Sequence, residues 1–229
     1  MRELLETPVF QVLISILAYE TGLFIYRKTK ISLFNPLLIA ILLVMGFIMK
    51  FGISLDTYNK GGNLISFFLG PATVILAVPL YKQLDSLKKE FIPIMAGVLT
   101  GCITTVFSVR FLSTRMGLSK ELQESLIPKS ITTPIGIELS KQLGGIPSVT
   151  VAAILITGIL GAMIGPGVCK LLRITDRTAT GIAIGTSSHA VGTTKAVELG
   201  EKEGAMSGLA IGVAGLFTVL LVSVFGRFL

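Results

Sequence analysis

The sequence predicts an all-α polytopic membrane protein with about six to eight transmembrane helices, some of them discontinuous and arranged in repeated units. Hydrophobic residues make up 52% of the 229 positions and charged residues only 14%, against roughly 25% charged in soluble domains. Mean hydropathy is +0.82. Several apolar runs approach the roughly 20 residues that cross a bilayer, at 10–25, 33–49, 64–80, 91–109, 149–168 and 207–225.

The net charge of +7 is spread over short loops between these runs. That distribution is typical of topogenic charge in membrane proteins and argues against a nucleic-acid partner. Cys102 and Cys169 lie inside apolar runs, and no cysteine or histidine pair has metal-ligand spacing, so we predict no disulfide, no metal and no cofactor. The first run lacks a small-residue cleavage site and is predicted to be a retained helix.

In chain order, the second helix opens at Asn35-Pro36, because proline is tolerated in a first helical turn. A short polar connection is predicted at 52–62. The apolar run that follows is broken at Gly70 and Pro71, which gives the first discontinuous element. The run at 91–112 is then predicted to be an uninterrupted span.

Two further polar breaks follow. In the first, Pro128 and Pro134 flank a lysine and three hydroxyl residues within the stretch LIPKSITTPIG. An uninterrupted span is predicted at 146–172. The second break lies in the stretch GIAIGTSSHAVGTTKAVELG, where Gly185 and Gly192 flank the only histidine, His189. Irregular backbone is tolerated at membrane depth only where protein or a water-filled cavity surrounds it, so each break is a candidate site.

A step of 57 residues relates these elements to one another. It carries Ser130 to Ser187 and Thr132 to His189. The chain is therefore predicted to be a single transmembrane domain, 1–229, with an N-terminal helix pair at 1–60 and three units of one broken helix and one span at 61–117, 118–175 and 176–229. If the broken helices turn back, the units are inverted repeats of the kind found in transporters. If they span, there are eight crossings, and the charge bias is too weak to orient them.

Lys129 is the strongest single candidate for a functional residue, since charge inside a membrane is costly and usually faces a cavity. We expect it to offset the charge of an anionic substrate; the alternative is a lysine in a surface loop. His189 titrates near neutral pH and is the candidate for proton coupling or for a hydrogen bond to a carboxylate. Its alternative role is structural, satisfied by neighbouring hydroxyls.

The predicted substrate-binding set combines these two residues with the hydroxyls of both breaks and the N–H groups of the half-helices. The same hydroxyls could instead satisfy the freed backbone of the broken helices. The hydroxyl residues are Ser130, Thr132, Thr133, Thr186, Ser187, Ser188 and Thr193. No nucleophile elbow, phosphate loop or zinc motif is present, so we predict that the protein is not an enzyme.

Six stretches of the sequence resemble the LrgB/CidB family of bacterial membrane proteins over nearly the whole chain. They are NPLL, GISLDTYNKGG, PATVILAVPLYKQL, LIPKSITTPIG, GGIPSVT and GIAIGTSSHAVGTTKAVEL. The plastidial glycolate/glycerate translocator is also similar over its C-terminal half. Thr194 and Gly136 depart mildly from the family pattern, and these departures affect only the expected shape of the cavity wall.

The resemblance implies a multi-pass protein of the bacterial inner membrane and two alternative functions. The translocator moves small 2-hydroxy monocarboxylates and bacterial relatives are linked to pyruvate uptake, whereas the bacterial members are named antiholin-like regulators of murein hydrolase export and autolysis. A smaller LrgA/CidA-type membrane protein is an implied partner, and a homo-oligomer is left open. Because intramembrane Lys129 and His189 favour a carrier, the sequence-based prediction is a transporter of glycolate, glycerate, pyruvate or lactate; the alternative is a pore-associated scaffold.

Overall fold

A computed structural model describes residues 7–29, 34–68, 71, 81 and 84–225. It divides into two compact units, Met1–Ile75 and Leu76–Leu229. The α-helices are α1 (Pro8–Thr29), α2 (Pro36–Phe51), α3 (Leu55–Phe67), α4 (Leu84–Lys89), α5 (Phe91–Arg115), α6 (Lys120–Leu126), α7 (Thr133–Leu143), α8 (Pro147–Leu171), α9 (Arg177–Leu199) and α10 (Glu201–Phe225). A short 3-10 helix, Ile127–Ser130, lies between α6 and α7.

The prediction of an all-α, multi-pass membrane protein is confirmed. Among the described residues, four helices are long and apolar enough to cross a membrane, namely α1, α5, α8 and α10. The apolar helix α2 is shorter, at 16 residues. Large apolar side chains cover the outer surfaces of these helices, for example Leu43 and Ile164, as expected for surfaces that face lipid rather than water.

The first unit is built from α1, α2 and α3. Asn35 caps α2 by accepting hydrogen bonds from the N–H groups of Leu37 and Leu38, and a small core of Ala18, Ala40 and Val44 joins α1 to α2. The region 52–62, predicted to be a polar connection, is instead helical from Leu55. The Ser54 side chain accepts a hydrogen bond from the N–H of Thr57 and so starts α3, which is the N-cap arrangement that Ser favours.

Gly61 and Gly62 in α3 give a matched test of packing in this unit. A Cβ at Gly61 would lie 2.6 Å from Pro8 O and 3.2 Å from Val12 N on α1, whereas at Gly62 the nearest atom is Asn59 Oδ1 at 4.0 Å. Both Gly→Ala changes gain similar helix propensity, about 1 kcal/mol, but only Gly61→Ala meets backbone. We expect Gly61→Ala to be less stable than Gly62→Ala by about 1–3 kcal/mol in detergent thermal unfolding. Equal stability would contradict the close approach of α1 and α3.

In the second unit the element between 120 and 143 turns back on itself and forms hairpin 1, made of α6, the 3-10 helix and α7. The helix is interrupted at Ile131 and Thr132, which are both extended. Thr150 Oγ1 lies 2.9 Å from Ser125 O and 2.7 Å from Ser140 Oγ. Fifteen residues of straight helix would separate Ser125 from Ser140 by about 22 Å, so α6 and α7 return to the same end of α8.

Helix α9 also turns back, at His189, and forms hairpin 2. His189 has φ 44° and ψ −142°, outside the helical region. A Cβ at Gly192 would lie 3.1 Å from Ile184 Cγ2 and 3.2 Å from Ile184 O, although eight residues of straight helix span about 12 Å. The breaks predicted at Gly185 and Gly192 therefore need correction: both glycines lie in helical turns, and the interruption falls between them.

The two hairpins approach the middle of α8 from its opposite ends. Hairpin 1 packs at the N-terminal end of α8, where the N–H of Ile146 donates to Ser125 Oγ at 2.7 Å. Hairpin 2 begins beyond the C-terminal end of α8 and runs antiparallel to it: a Cβ at Gly165 would lie 3.6 Å from Ile184 Cγ1, and one at Gly161 would lie 2.5 Å from Ser188 Cβ. Hairpin 1 and hairpin 2 thus point in opposite directions along α8, and the division of the chain into inverted repeats stays a prediction.

Two of the three predicted repeats can be compared in full. In 118–175 hairpin 1 precedes the span α8, and in 176–229 hairpin 2 precedes the span α10. In 61–117 the span α5 is present, but Gly70 lies outside the described residues, so the break predicted at Gly70 and Pro71 stays a prediction. Cys102 Sγ lies 3.7 Å from Ala214 O, a contact that joins α5 to α10.

Candidate functional site

The ring of His189 is seated on α8 at the tip of hairpin 2. Its Nε2 lies 2.8 Å from Ile154 O, and the side chain is 3% exposed. The ring fits because residue 158 is glycine: a Cβ there would lie 2.6 Å from His189 Cε1 and 2.8 Å from Nε2. The contact explains how a non-glycine residue holds a positive φ, since strained backbone persists only where its surroundings over-determine it.

The hydroxyls of hairpin 2 bond mainly to nearby backbone and to one another. Thr193 Oγ1 donates to His189 O at 3.0 Å and lies 2.7 Å from Ser207 Oγ of α10. Ser187 Oγ donates to Ile184 O and lies 2.9 Å from Ser188 Oγ. These bonds match the backbone-satisfying role rather than a ligand-binding one. Thr186 differs, because its buried Oγ1 has no hydrogen-bond partner among the described residues.

The polar side chains at the tip of hairpin 1 have fewer hydrogen-bond partners than those of hairpin 2. Lys129 Nζ donates to Ser130 Oγ at 3.2 Å, and Lys129 belongs to none of the ion pairs that the described residues form. Thr132 stands at the N-cap position of α7 without a side-chain cap hydrogen bond. The roles of Lys129, Ser130, Thr132 and Thr133 in binding a ligand stay predictions.

The two tips lie near each other inside the second unit. The 3-10 helix of hairpin 1 contacts α9. Ile154 of α8 joins them, because its carbonyl meets His189 while its Cδ1 would lie 2.5 Å from a Cβ at Gly136 of hairpin 1. Among the described residues no group of three His, Cys, Asp or Glu could hold a metal ion.

The sequence analysis did not predict a role for three buried polar residues at the base of hairpin 1. Ser125, Ser140 and Thr150 are each 0% exposed and form one hydrogen-bonded cluster. Their sequence positions fall in ordinary helical stretches, so no break or charge marks them. The serine and threonine content of α6, α7 and α8 was the only available signal.

This cluster gives a test of the base of hairpin 1. Thr150→Val keeps the side-chain shape but removes the hydroxyl between Ser125 O and Ser140 Oγ, and we expect a loss of about 1–3 kcal/mol in stability. Thr100→Val is the control, since exposed Thr100 donates only to Ala96 O of its own helix. Thermal unfolding of both variants in detergent measures the difference. Similar midpoints would show that the cluster does not hold the hairpin.

The fold and site define a class: a multi-pass helical membrane protein in which two helical hairpins approach each other from opposite ends of α8 and meet beside it. The chain belongs to the LrgB-like family, whose model matches residues 15–228. This confirms the resemblance drawn from the six sequence stretches, and it places the chain in a bacterial membrane. No solved structure matches the chain.

Curated relatives cover almost the entire chain. It is 39% identical over 220 residues to the antiholin-like protein LrgB of Bacillus subtilis (strain 168), covering 96% of this chain and 95% of the relative. It is 36% identical over 224 residues to the antiholin-like protein LrgB of Bacillus mycoides (strain KBAB4) and to that of Bacillus cereus (strain B4264), with 97% of each chain covered.

These relatives correct the predicted function. The sequence interpretation favoured a carrier of small monocarboxylates because of Lys129 and His189. The relatives, which match almost the entire chain, are named antiholin-like LrgB instead, so the carrier prediction is wrong and the comparisons favour the alternative. In physical terms, the ring of His189 is committed to Ile154 O, and an intramembrane histidine with a structural partner is no evidence of coupling.

Proposed function

We propose that this protein is an antiholin-like membrane scaffold that restrains murein hydrolase export and autolysis. The observation that carries the proposal is the end-to-end match to relatives named antiholin-like LrgB, at 36–39% identity. An antiholin opposes the opening of a membrane pore. A scaffold that opposes pore opening must present a defined surface within the bilayer. This requires rigidly packed helices, whereas a carrier requires helices that move to open a path for its substrate.

The packing of the second unit supports this role. Helices approach closely at small residues, as they do in stable membrane bundles: a Cβ at Gly181 would lie 2.9 Å from Met206 Cβ, and one at Gly101 would lie 2.7 Å from Thr186 Cγ2. The partly buried ion pair between Arg110 Nη1 and Glu124 Oε1, 2.7 Å long, joins α5 to hairpin 1. The partner in this proposal is the smaller LrgA/CidA-type membrane protein that the resemblance implies.

The experiment compares a bacterial strain that lacks this protein with the same strain complemented by it, with the smaller companion present throughout. We expect the deletion to raise extracellular murein hydrolase activity and to speed detergent-induced lysis, and complementation to reverse both. Hydrolase activity in the medium is read by zymography and lysis by turbidity. If neither readout changes on deletion while the protein is shown to be present in wild-type membranes, the antiholin-like role is refuted.

A further inference from the structure

Beyond the proposed regulation of lysis, we propose that α1 carries a docking face for a transmembrane helix of another protein, and that this partner helix presents one lysine or arginine at the depth of Glu20. The docking face, named the Glu20 face, consists of Leu13, Ile16, Leu17, Glu20 and Phe24. Its role does not depend on what the protein regulates.

The first observation is the depth of Glu20 in α1. Helix α1 is long and apolar enough to cross a membrane, and Glu20 is the one charged residue in the sequence from 7 to 26. At a rise of about 1.5 Å per residue, Glu20 lies about 18 Å from Pro8 and about 14 Å from Thr29 along the helix. The hydrocarbon core is about 30 Å thick, so a spanning α1 holds this carboxylate near the middle of the bilayer.

The second observation is that the carboxylate of Glu20 has no partner within the part of the chain that the structure describes. The side chain is exposed, and it takes part in none of the hydrogen bonds or ion pairs formed there. Ionisable side chains inside membrane helices are costly and usually pair with one another or with other polar groups. A second chain that supplies the opposite charge would complete such a pair.

The third observation is the apolar stripe around Glu20. Ala18 and Gly22 are buried on the opposite side of α1, where a Cβ at Gly22 would lie 3.0 Å from Pro36 Cα of α2. Glu20 therefore points away from the core of its own unit. The other members of the Glu20 face are three, four or seven residues from Glu20, the spacing that places side chains on one face of a helix. They are Leu13, Ile16, Leu17 and Phe24, which are 49–59% exposed.

The charge of Glu20 indicates that the partner is a different chain. In a symmetric pair of copies, Glu20 would meet Glu20, and like charges repel. A second copy also brings no cation to this depth, because the exposed basic residues of the described apolar helices stand in their last turns, at the ends of the spans. They are Arg27, Lys28, Lys50, Arg115 and Lys170.

The remaining basic residue near a helix break does not change this conclusion. Lys129 is only partly exposed and donates to Ser130 Oγ at the tip of hairpin 1. An apolar helix of another protein with one central lysine or arginine is the surface that matches the Glu20 face in both shape and charge. The pair would be stronger than in water, because the lipid around it has a low dielectric constant.

The test measures the binding of a probe helix to the purified full chain in liposomes. The probe is a synthetic transmembrane peptide of leucine and alanine with one central lysine, and the matched peptide has leucine at that position. Binding is read by energy transfer between a donor on the protein and an acceptor on the peptide. We expect the lysine peptide to bind about 5- to 30-fold more tightly than the leucine peptide.

Three variants locate the effect. Glu20→Leu should bind the two peptides equally, because it keeps the apolar stripe and removes the charge. Glu20→Lys should reverse the preference and favour a peptide with a central glutamate. Glu138→Leu removes an exposed acid of hairpin 1 and should keep the full preference for the lysine peptide.

Several results would overturn the proposal. Equal binding of the two peptides by the wild type would show that the Glu20 face meets lipid alone. An undiminished lysine preference in Glu20→Leu would place the binding elsewhere, and if that variant does not fold, the same preference in Glu20→Lys decides against the face. Self-association of the wild type that Glu20→Leu abolishes would assign the face to a second copy instead. None of these outcomes bears on murein hydrolase export, which the deletion experiment tests separately.

Discussion

Gly185→Leu is expected to dislodge hairpin 2 from α10 and to abolish complementation in the lysis assay. A Cβ at Gly185 would contact Ser207 O and lie 2.8 Å from Ser207 Cα. These are backbone atoms of a transmembrane helix, which cannot rotate aside as a side chain can. Overpacking of this kind typically costs 1–3 kcal/mol and occasionally more; for a leucine against backbone we expect about 3 kcal/mol or more, enough to separate the two helices.

The matched control is Gly212→Leu on α10, where a Cβ would meet nothing within 4 Å and the residue is exposed. It adds the same apolar side chain to the same unit without a collision. Thermal unfolding in detergent and the rate of detergent-induced lysis are measured for both variants. Gly185→Leu protein that unfolds at the control midpoint and still restrains lysis would show that hairpin 2 does not pack on α10 as described.

Arg110→Met should destabilise the second unit by about 3–5 kcal/mol, the typical effect of leaving one member of a buried ion pair without its partner. The side chains of Arg110 and Glu124 are 19% and 9% exposed. The double variant Arg110→Met with Glu124→Met removes both charges, and such replacements are often neutral or stabilising. We therefore expect it to recover most of the loss.

The measurement is the unfolding midpoint of the two single variants and the double variant, arranged as a double-mutant cycle. Lys195→Met is a suitable comparison, because Lys195 pairs with Glu198 at 2.7 Å but Glu198 is more than half exposed. An exposed pair contributes little, so this variant should lose less than about 1 kcal/mol. Additive effects at Arg110 and Glu124 would contradict a direct ion pair between α5 and hairpin 1.

The sequence predicted the helices and the neighbourhood of the breaks because both depend on local chemistry. Apolar runs long enough to span a bilayer identified α1, α5, α8 and α10, and the prolines at 128 and 134 marked the interruption between α6 and α7. The sequence analysis did not predict the start of α3, although the signal for it is local as well. The polar residues around Ser54 favour the prediction of a loop between two helices. A serine N-cap followed by an acidic first turn is nevertheless itself a signal for a helix start.

The direction of the broken helices could not be read from the sequence. Whether α9 spans or turns back depends on contacts such as the one between Ile184 and Gly192, which a break in hydropathy does not reveal. For the same reason the sequence alone predicts the interruption at two glycines. Glycine is the usual residue at unusual backbone angles, but here the glycines provide space between helices and His189 takes the positive φ.

The error in function had a related cause. Lysine, histidine and hydroxyl residues in helix breaks favour the prediction of a substrate-binding path. In the structure, however, most of the hydroxyls of hairpin 2 bond to backbone or to each other. Only contacts distinguish these uses, since residue type and spacing are the same in both. The relatives, not the intramembrane charges, carry the information on function.

The central claim is that two re-entrant hairpins enter from opposite sides of the membrane, and side-specific cysteine labelling tests it most directly. In a background without Cys102 and Cys169, single exposed positions are replaced at the two ends of each hairpin: Lys120→Cys and Lys141→Cys for hairpin 1, Thr175→Cys and Leu199→Cys for hairpin 2. Intact spheroplasts and inverted vesicles are then treated with an impermeant maleimide. We predict that the two hairpin 1 positions react from one side only and the two hairpin 2 positions from the other side only. Labelling of Thr175→Cys and Leu199→Cys from opposite sides would mean that α9 spans the membrane, and the inverted architecture would be contradicted.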